Sequence, residues 1–228
     1  TMSAVIVILT RSPSDPRLKA RIAPVVPDSH QRLDLVLAFL DDLVERVGAV
    51  EGAALKVAVT PPLEGLRLVR PWIRWDQLLL QRGATFGDRL RNVFVDLDAA
   101  GFTRIILLGA DVPDLPAAAL EDAVRRLAAD PHAVVTGPSG DGSFYLLGLT
   151  VHNHVVPELF DKARWGTPHM LEDVEAAAVA HGLTVGRTMD WHDVDTPEDV
   201  RELADRVRSA PTTAKATAEM LRELKLIP

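Results

Sequence analysis

Cysteine is absent from the 228 residues, which removes disulfides, thiolate zinc sites and a cysteine nucleophile in one step. Any metal must therefore rest on carboxylates, histidines or carbonyl oxygens. Such hard donors point to magnesium or manganese ahead of zinc. A basic surplus is also missing: 25 Lys and Arg stand against 32 Asp and Glu, for a formal net charge of −7. Nucleic-acid backbones reward clustered Lys and Arg, so nucleic acid is not an expected partner. Apolar runs such as 5–9 and 105–108 are too short to span a bilayer. No basic segment followed by an apolar one opens the chain, and the cytoplasm is the expected compartment. Two glycine signatures are missing as well. No G-x-G-x-x-G follows the first apolar run and no G-x-x-x-x-G-K-[ST] occurs, which argues against a dehydrogenase-type dinucleotide site and against a P-loop.

What is present is an ordinary globular balance, 47 % hydrophobic and 25 % charged. A chain of this length can bury roughly 70 % of its unfolded surface and needs no covalent staple. Strand and helix patterns alternate along it. Residues 4–9 read as a buried strand. Residues 30–47 repeat apolar side chains at helical spacing, with Asp28 or Ser29 as cap and Gly48 as stop. Strands follow at 55–60, weakly at 66–69, then at 104–108, 133–136, 144–149 and, edge-like, 184–188. Helices are expected over 86–100, 117–129, 168–181, 197–207 and 214–224. This pattern predicts one α/β domain, 1–208, with a mostly parallel Rossmann-like sheet covered by helices on both faces. A linker and helical tail, 209–228, would pack on that domain or on a second copy, so a homo-oligomer through the C-terminal helix is one expectation. His152 and His154 read as surface histidines, and Trp72 and Trp75 as packing residues.

In open sheets of this kind, ligands lie beyond the carboxyl ends of the strands. Gly109-Ala110-Asp111-Val112-Pro113-Asp114 follows the strand 104–108, where Asp111 is placed to hold a hard cation. Its alternatives are an Asx-turn at Asp111 and a helix cap at Asp114. In Asp193-Val194-Asp195-Thr196-Pro197-Glu198-Asp199, Thr196, Pro197 and Asp199 are explained as a helix start. Asp193 and Asp195 are not. Alternating about Val194, they face the same side, and like charges so close favour a bound cation. The loop after the first strand gathers Arg11, Arg17, Lys19 and Arg21 in an acidic chain, which suits phosphate recognition. Gly140-Asp141-Gly142 fits either close backbone approach to a ligand or a plain hairpin turn. Gln81 through Gly87 offers a Gly-containing approach to a helix start, with Arg89 one turn in, and Trp165-Gly166-Thr167-Pro168 precedes another helix.

Taken in order, these pieces resemble the family of GT-A-like transferases known as radical-SAM/selenodomain-associated transferases, within the nucleotide-diphospho-sugar transferase superfamily. The resemblance rests on Lys19-Ala20-Arg21, Gln81…Gly87-Asp88-Arg89-Leu90, Gly109-Ala110-Asp111-Val112-Pro113-Asp114, Gly137-Pro138…Asp141-Gly142-Ser143-Phe144-Tyr145, Trp165-Gly166-Thr167-Pro168 and Asp193-Val194-Asp195-Thr196-Pro197. It spans about 5–203. It implies a GT-A fold, a nucleotide on the first half of the sheet and a metal at Asp111. As in related cytidylyl- and guanylyltransferases, Asp195 is implied as the second metal ligand. Lys19 and Arg21 would face the phosphates, and the Asp141-Gly142 loop the acceptor. The chain departs from the family pattern at Pro16, where Gly is usual, at Ala20 in place of Thr, at Ser143-Phe144 in place of Gly-Tyr, and at Gly166 in place of Ser. Pro16 removes a backbone donor and Ala20 a hydroxyl, both in the loop that the resemblance places at the phosphates.

The expectation is therefore a Mg2+- or Mn2+-dependent transferase with a nucleotide-sugar or NTP donor and a small-molecule acceptor. Catalytic candidates are Asp111, Asp141 and Lys19, and metal candidates are Asp111, Asp195 and Asp193. Nucleotide-contacting candidates are Arg11, Lys19, Arg21, Gln81, Gly87, Arg89, Asp111 and Trp165. Prolines replace the Gly-rich triphosphate wrap of nucleotidyltransferases in this superfamily, which tilts the reading to glycosyl over nucleotidyl transfer. A non-catalytic scaffold that has kept the fold is the rival from another class.

Overall fold

The computed structural model describes residues 3–151 and 157–228; His152 and His154 lie outside the described residues. In chain order the elements are β1 (Ser3–Thr10), α1 (Ser29–Gly48), β2 (Ala53–Val59), α2 (Glu64–Val69), β3 (Leu78–Leu80), α3 (Phe86–Ala99), β4 (Phe102–Gly109) and α4 (Ala117–Ala129). There follow β5 (Ala133–Pro138), β6 (Phe144–Thr150), α5 (Glu158–Asp161), α6 (Met170–Ala180), β7 (Thr184–Arg187), α7 (Pro197–Ser209) and α8 (Lys215–Glu223). The seven strands form one sheet in the order β3-β2-β1-β4-β6-β5-β7. Only β6 runs antiparallel to its neighbours β4 and β5. The expected mostly parallel sheet with helices on both faces is the observed one.

Period-two alternation in β1 divides the core. Ile6 and Ile8 point to one face, against Leu37, Leu40 and Leu43 of α1 and Leu120, Ala123 and Leu127 of α4. Val5 and Val7 point to the other, against Leu90, Val93 and Phe94 of α3 and Val174 and Ala178 of α6. Helix α1 starts where Asp28 accepts hydrogen bonds from the backbone N–H groups of His30 and Gln31. Its outer side carries a third cluster, in which Leu35 and Phe39 pack with Val200 and Leu203 of α7 and with Ala214, Ala218 and Leu221 of the C-terminal segment. The tail thus packs on its own chain. No described helix is long and apolar enough to cross a membrane.

Three expectations need correction. Residues 66–69 lie in helix α2, not in a strand. Leu66-Arg67-Leu68 alternates apolar and polar as a strand would, but Leu66 is buried and Leu68 exposed, which is helical and not period-two placement. The third strand is Leu78–Leu80, paired with 57–59 of β2; three leucines carry no β-branched signal. Trp72 and Trp75 are half-exposed, and the Trp75 ring is covered by the Arg67 guanidinium at 5.3 Å, not by core.

Candidate functional site

The carboxyl ends of β1 and β4 lie side by side, since the strands pair in parallel with Leu9 opposite Gly109. Asp111 stands two residues beyond β4. The Val194 N–H donates to the Asp111 carbonyl at 2.9 Å, which draws segment 193–195 across the strand ends. Val194 is fully buried, and its flanking carboxylates turn toward Asp111. Asp195 is fixed from behind: its N–H and that of Thr196 donate to Asp199 Oδ2 at 2.9 and 2.7 Å, while the Asp199 N–H donates to Thr196 Oγ1. This capping box, with Pro197 at the first helical position, starts α7 as the sequence indicates.

Lys19 joins the carboxylates. Its backbone sits at φ 50°, ψ 35°, a left-handed conformation that a lysine keeps only where its surroundings hold it. Its side chain is 8 % exposed. Nζ donates to Asp195 Oδ1 and to the Val194 carbonyl, each at 2.6 Å, and lies 2.8 Å from Asp111 Oδ1. Burial pulls the ammonium's pKa down, but Asp111 and Asp195 more than offset this and leave it above the ordinary lysine range. Burial raises the Asp111 carboxyl against the opposing pull of Lys19. Asp195 is also desolvated, yet Lys19 holds it below the ordinary range. Asp193, which accepts from Ser139 Oγ at 3.1 Å, is pushed up to about 7 by burial and then by the charges of Asp111 and Asp195.

Around this centre stand the loop cations. Arg11 pairs with Asp15 at 2.9 Å, and the fields of Arg21 and Arg11 favour ionised Asp195. Arg21 is exposed and makes no ion pair among the described residues. Arg89 makes none either; its Nε is buried without a partner. Burial and then the neighbouring Arg11 lower the Arg89 pKa, against the opposing pull of Asp88.

The structure does not bring the remaining candidates to this centre. Gln81 is buried, and its amide donates to the Thr10 and Ala58 carbonyls at 3.0 and 2.8 Å, tying the ends of β1 and β2 together. Gly87 is buried beneath Trp165: a Cβ there would lie 2.3 Å from the indole nitrogen. The Trp165 N–H is spent on the Phe160 carbonyl at 2.7 Å, and its ring packs against Phe86, Phe144 and Phe160. Asp141 makes a local turn, accepting from the Ser143 N–H and hydroxyl at 2.9 and 2.5 Å. The turn is docked on the start of α6, where a Cβ on Gly142 (φ 87°) would meet the Pro168 carbonyl oxygen at 1.8 Å. Asp114 does not cap α4, whose N-cap, Pro116, has no side-chain cap. Its side chain is 4 % exposed and pairs with Arg206 of α7 at 2.7 Å and with the Trp191 N–H at 3.2 Å. Sequence reasoning missed Ser139, whose only signal was a hydroxyl at a strand end, and the Val194 carbonyl, which carries no side-chain signal at all.

Among the described residues, no set of three or more His, Asp or Glu side chains is arranged as a metal site; the ammonium holds the centre between the carboxylates. The donor chemistry nevertheless fits a hard divalent cation. Three oxygens, from Asp111, Asp195 and the Val194 carbonyl, converge on Lys19 Nζ within 2.8 Å, and the ammonium stands in for such an ion.

A family model described as "uncharacterized protein conserved in bacteria (DUF2064)" matches residues 43–167, more than half of the chain. No curated protein matches. Among solved structures, a candidate nucleotide-diphospho-sugar transferase of Desulfovibrio desulfuricans G20 is 25 % identical, with a TM-score of 0.82 over 97 % of this chain and 95 % of that one. A cytidylyltransferase of Leptospira borgpetersenii serovar Hardjo-bovis is similar in fold, with a TM-score of 0.56 and 15 % identity over 99 % of this chain and 94 % of that one. CMP:2-keto-3-deoxy-manno-octonic acid synthetase, complexed with CTP, aligns with a TM-score of 0.54 and 18 % identity over 90 % of this chain and 99 % of that one.

Proposed function

We propose that this chain, which belongs to the DUF2064 family, is a metal-dependent transferase acting on a nucleotide-activated donor. Its reaction is glycosyl transfer from a nucleoside-diphosphate sugar to a small-molecule acceptor, as in the radical-SAM/selenodomain-associated transferases that it resembles. The observation that carries the reading is the meeting of Lys19, Asp111 and Asp195 at the carboxyl ends of β1 and β4. Arg21 and Arg11 lie close enough for their fields to reach Asp195, and the chain's likeness to the Desulfovibrio protein supports the reading.

In this reading Asp111 and Asp195, with Asp193 beside them, would hold Mg2+ or Mn2+. Such an ion would supply positive charge to the donor's diphosphate and to the leaving nucleoside diphosphate. The chain's own residues do the rest. Arg11, Arg21 and Arg89 place guanidinium groups around the phosphates, where their fixed charge stabilises the leaving group without reorganisation at the moment of reaction. The turn held by Asp141 and Gly142 borders the acceptor. Pro13 and Pro16 stiffen the loop after β1, where a triphosphate would need a flexible glycine-rich wrap; this favours glycosyl over nucleotidyl transfer.

A thermal-shift screen tests the reading: UDP-, GDP-, ADP- and CDP-sugars and the four NTPs, each with Mn2+, Mg2+ or EDTA. Ligand at about 100 times its Kd stabilises by roughly 2.7 kcal/mol, a shift of a few degrees at this size. The expected result is a metal-dependent shift with one nucleotide class that Asp111→Asn abolishes. An NTP shift without an NDP-sugar shift moves the assignment to nucleotidyl transfer. No shift with any of them sinks the enzyme reading in favour of a scaffold that has kept the fold.

A further inference from the structure

The one cation-shaped seat among the site's carboxylates is filled by a side chain. Nζ of Lys19 has three oxygens within 2.8 Å, from Asp195, Val194 and Asp111. Mg2+ takes oxygen ligands at about 2.0–2.1 Å, so an ion bound by the same oxygens and the ammonium cannot occupy that point together. We propose that Lys19 is a resident counter-ion that closes the metal seat in the free protein, and that it leaves when donor phosphates arrive, so that metal loads together with nucleotide. The inference rests on the nucleotide-transferase reading above and adds to it an order of loading.

Two further observations support it. Lys19 is no idle surface lysine: its backbone is held in the left-handed region, and its side chain is 8 % exposed. Withdrawal of the ammonium would also leave Asp111, Asp193 and Asp195 crowded with no cation between them. Asp111 and Asp195 are partly exposed, at 36 % and 43 % of their side chains, but like charges so close still disfavour one another, so Lys19 leaves most readily when another cation takes its place. The ammonium must in turn reach an anion. An arriving phosphate supplies one, and the site has cations to receive it: Arg21 and Arg89 make no ion pair among the described residues. Nucleotide and divalent cation then bind with positive coupling, and the coupling is reciprocal: each raises the affinity of the other by the same factor.

The test is Mn2+ binding without nucleotide, followed by electron paramagnetic resonance, in the wild type, Lys19→Met and Lys19→Met with Asp111→Asn. Lys19→Met is expected to bind Mn2+ roughly tenfold or more tightly than the wild type, and Asp111→Asn to remove the gain. Affinities of wild type and Lys19→Met within about threefold of each other, or no Mn2+ binding by the folded variant, overturn the proposal. A second measurement needs no variant. The 1H–15N signal of the Lys19 ammonium, sheltered by its three bonds, is expected to persist in the wild type with excess Mg2+ alone. It should be lost when inorganic pyrophosphate is added with the Mg2+. Loss with Mg2+ alone, or persistence in both, overturns the proposal. Either failure leaves the transferase reading standing if nucleotides still shift the melting temperature; if they do not, that reading fails by its own test.

Discussion

Asp193 owes its chemistry to its neighbour in sequence. Val194 is drawn into the core, and the carboxyl beside it is desolvated and set near Asp111 and Asp195, which together push it up to about 7. In the unfolded chain it would titrate near 3.8. A folded pKa above the unfolded one means that the fold retains a proton the unfolded chain has lost. The stability Asp193 allows is therefore full below the ordinary carboxylate range and is lost as pH rises toward about 7. Asparagine cannot ionise. In EDTA, the melting temperature of Asp193→Asn minus that of the wild type should grow between pH of about 4 and about 7 and level off above. A difference that stays flat across that range would show that Ser139 and Lys19 fully offset the burial. At this scale the charged centre was legible. Asp111, Asp193 and Asp195 stand at strand ends in a pattern that local structure does not use up, and Lys19 belongs to an anomalous basic loop. The structural partners of Gln81, Gly87 and Trp165 are not legible in the sequence because they are remote. The Gln81 amide reaches a carbonyl 71 positions away, and nothing in its neighbours announces that.

Among the elements, the turn from β4 to α4 has the most to hold in place, since Asp111 rides on it. Arg46 of α1 donates to the Pro113 carbonyl at 2.5 Å, Val194 bonds the Asp111 carbonyl, and Asp114 is clamped by Arg206 and Trp191. The Asp114 carboxylate is nearly sealed from water, so removal of its cation leaves a buried charge with one indole N–H and the more distant Arg46 guanidinium. Arg206→Met should cost about 3–5 kcal/mol in urea unfolding. Asp114→Asn in the same chain should recover part of it, because the unpaired charge is then gone. A cost for Arg206→Met below about 1 kcal/mol would mean that the pair is screened and the brace idle. The sequence shows this turn as ligand-facing but gives Asp114 to the following helix as a cap, a role that any Asp in that position invites. Element types were legible wherever a period ran long, as in α1 and β1. They failed at α2 and β3, six and three residues long, where helix and strand spacing cannot be told apart.

For the molecule as a whole, strand–helix alternation fixes the class of fold but not the strand order. The reversal at β6 follows from length: residues 139–143 link β5 to β6, too few for the crossover that a parallel neighbour requires. The tail is the other matter the sequence leaves open, as its amphipathic pattern suits either its own domain or a second copy. In the structure its apolar side is spent at home. Ala214, Ala218, Leu221 and Ile227 are buried in the cluster that holds Leu35, Phe39, Val200 and Leu203. Asp42 of α1 accepts from the Ala216 and Thr217 N–H groups at 2.9 and 2.8 Å, supplying the cap that α8 lacks in its own sequence. Removal of 210–228 would then strip cover from α1 and α7. Loss of Leu221 and Ile227 alone forfeits roughly 3–6 kcal/mol of burial. The truncated chain should melt well below the full one and aggregate through the bared Leu35–Phe39 side of α1, as light scattering coupled to size exclusion would show. A handle for self-association would behave in the opposite way: its deletion would turn an oligomer into a soluble monomer of unchanged melting temperature. That outcome would put the partner of α8 in another copy of the chain.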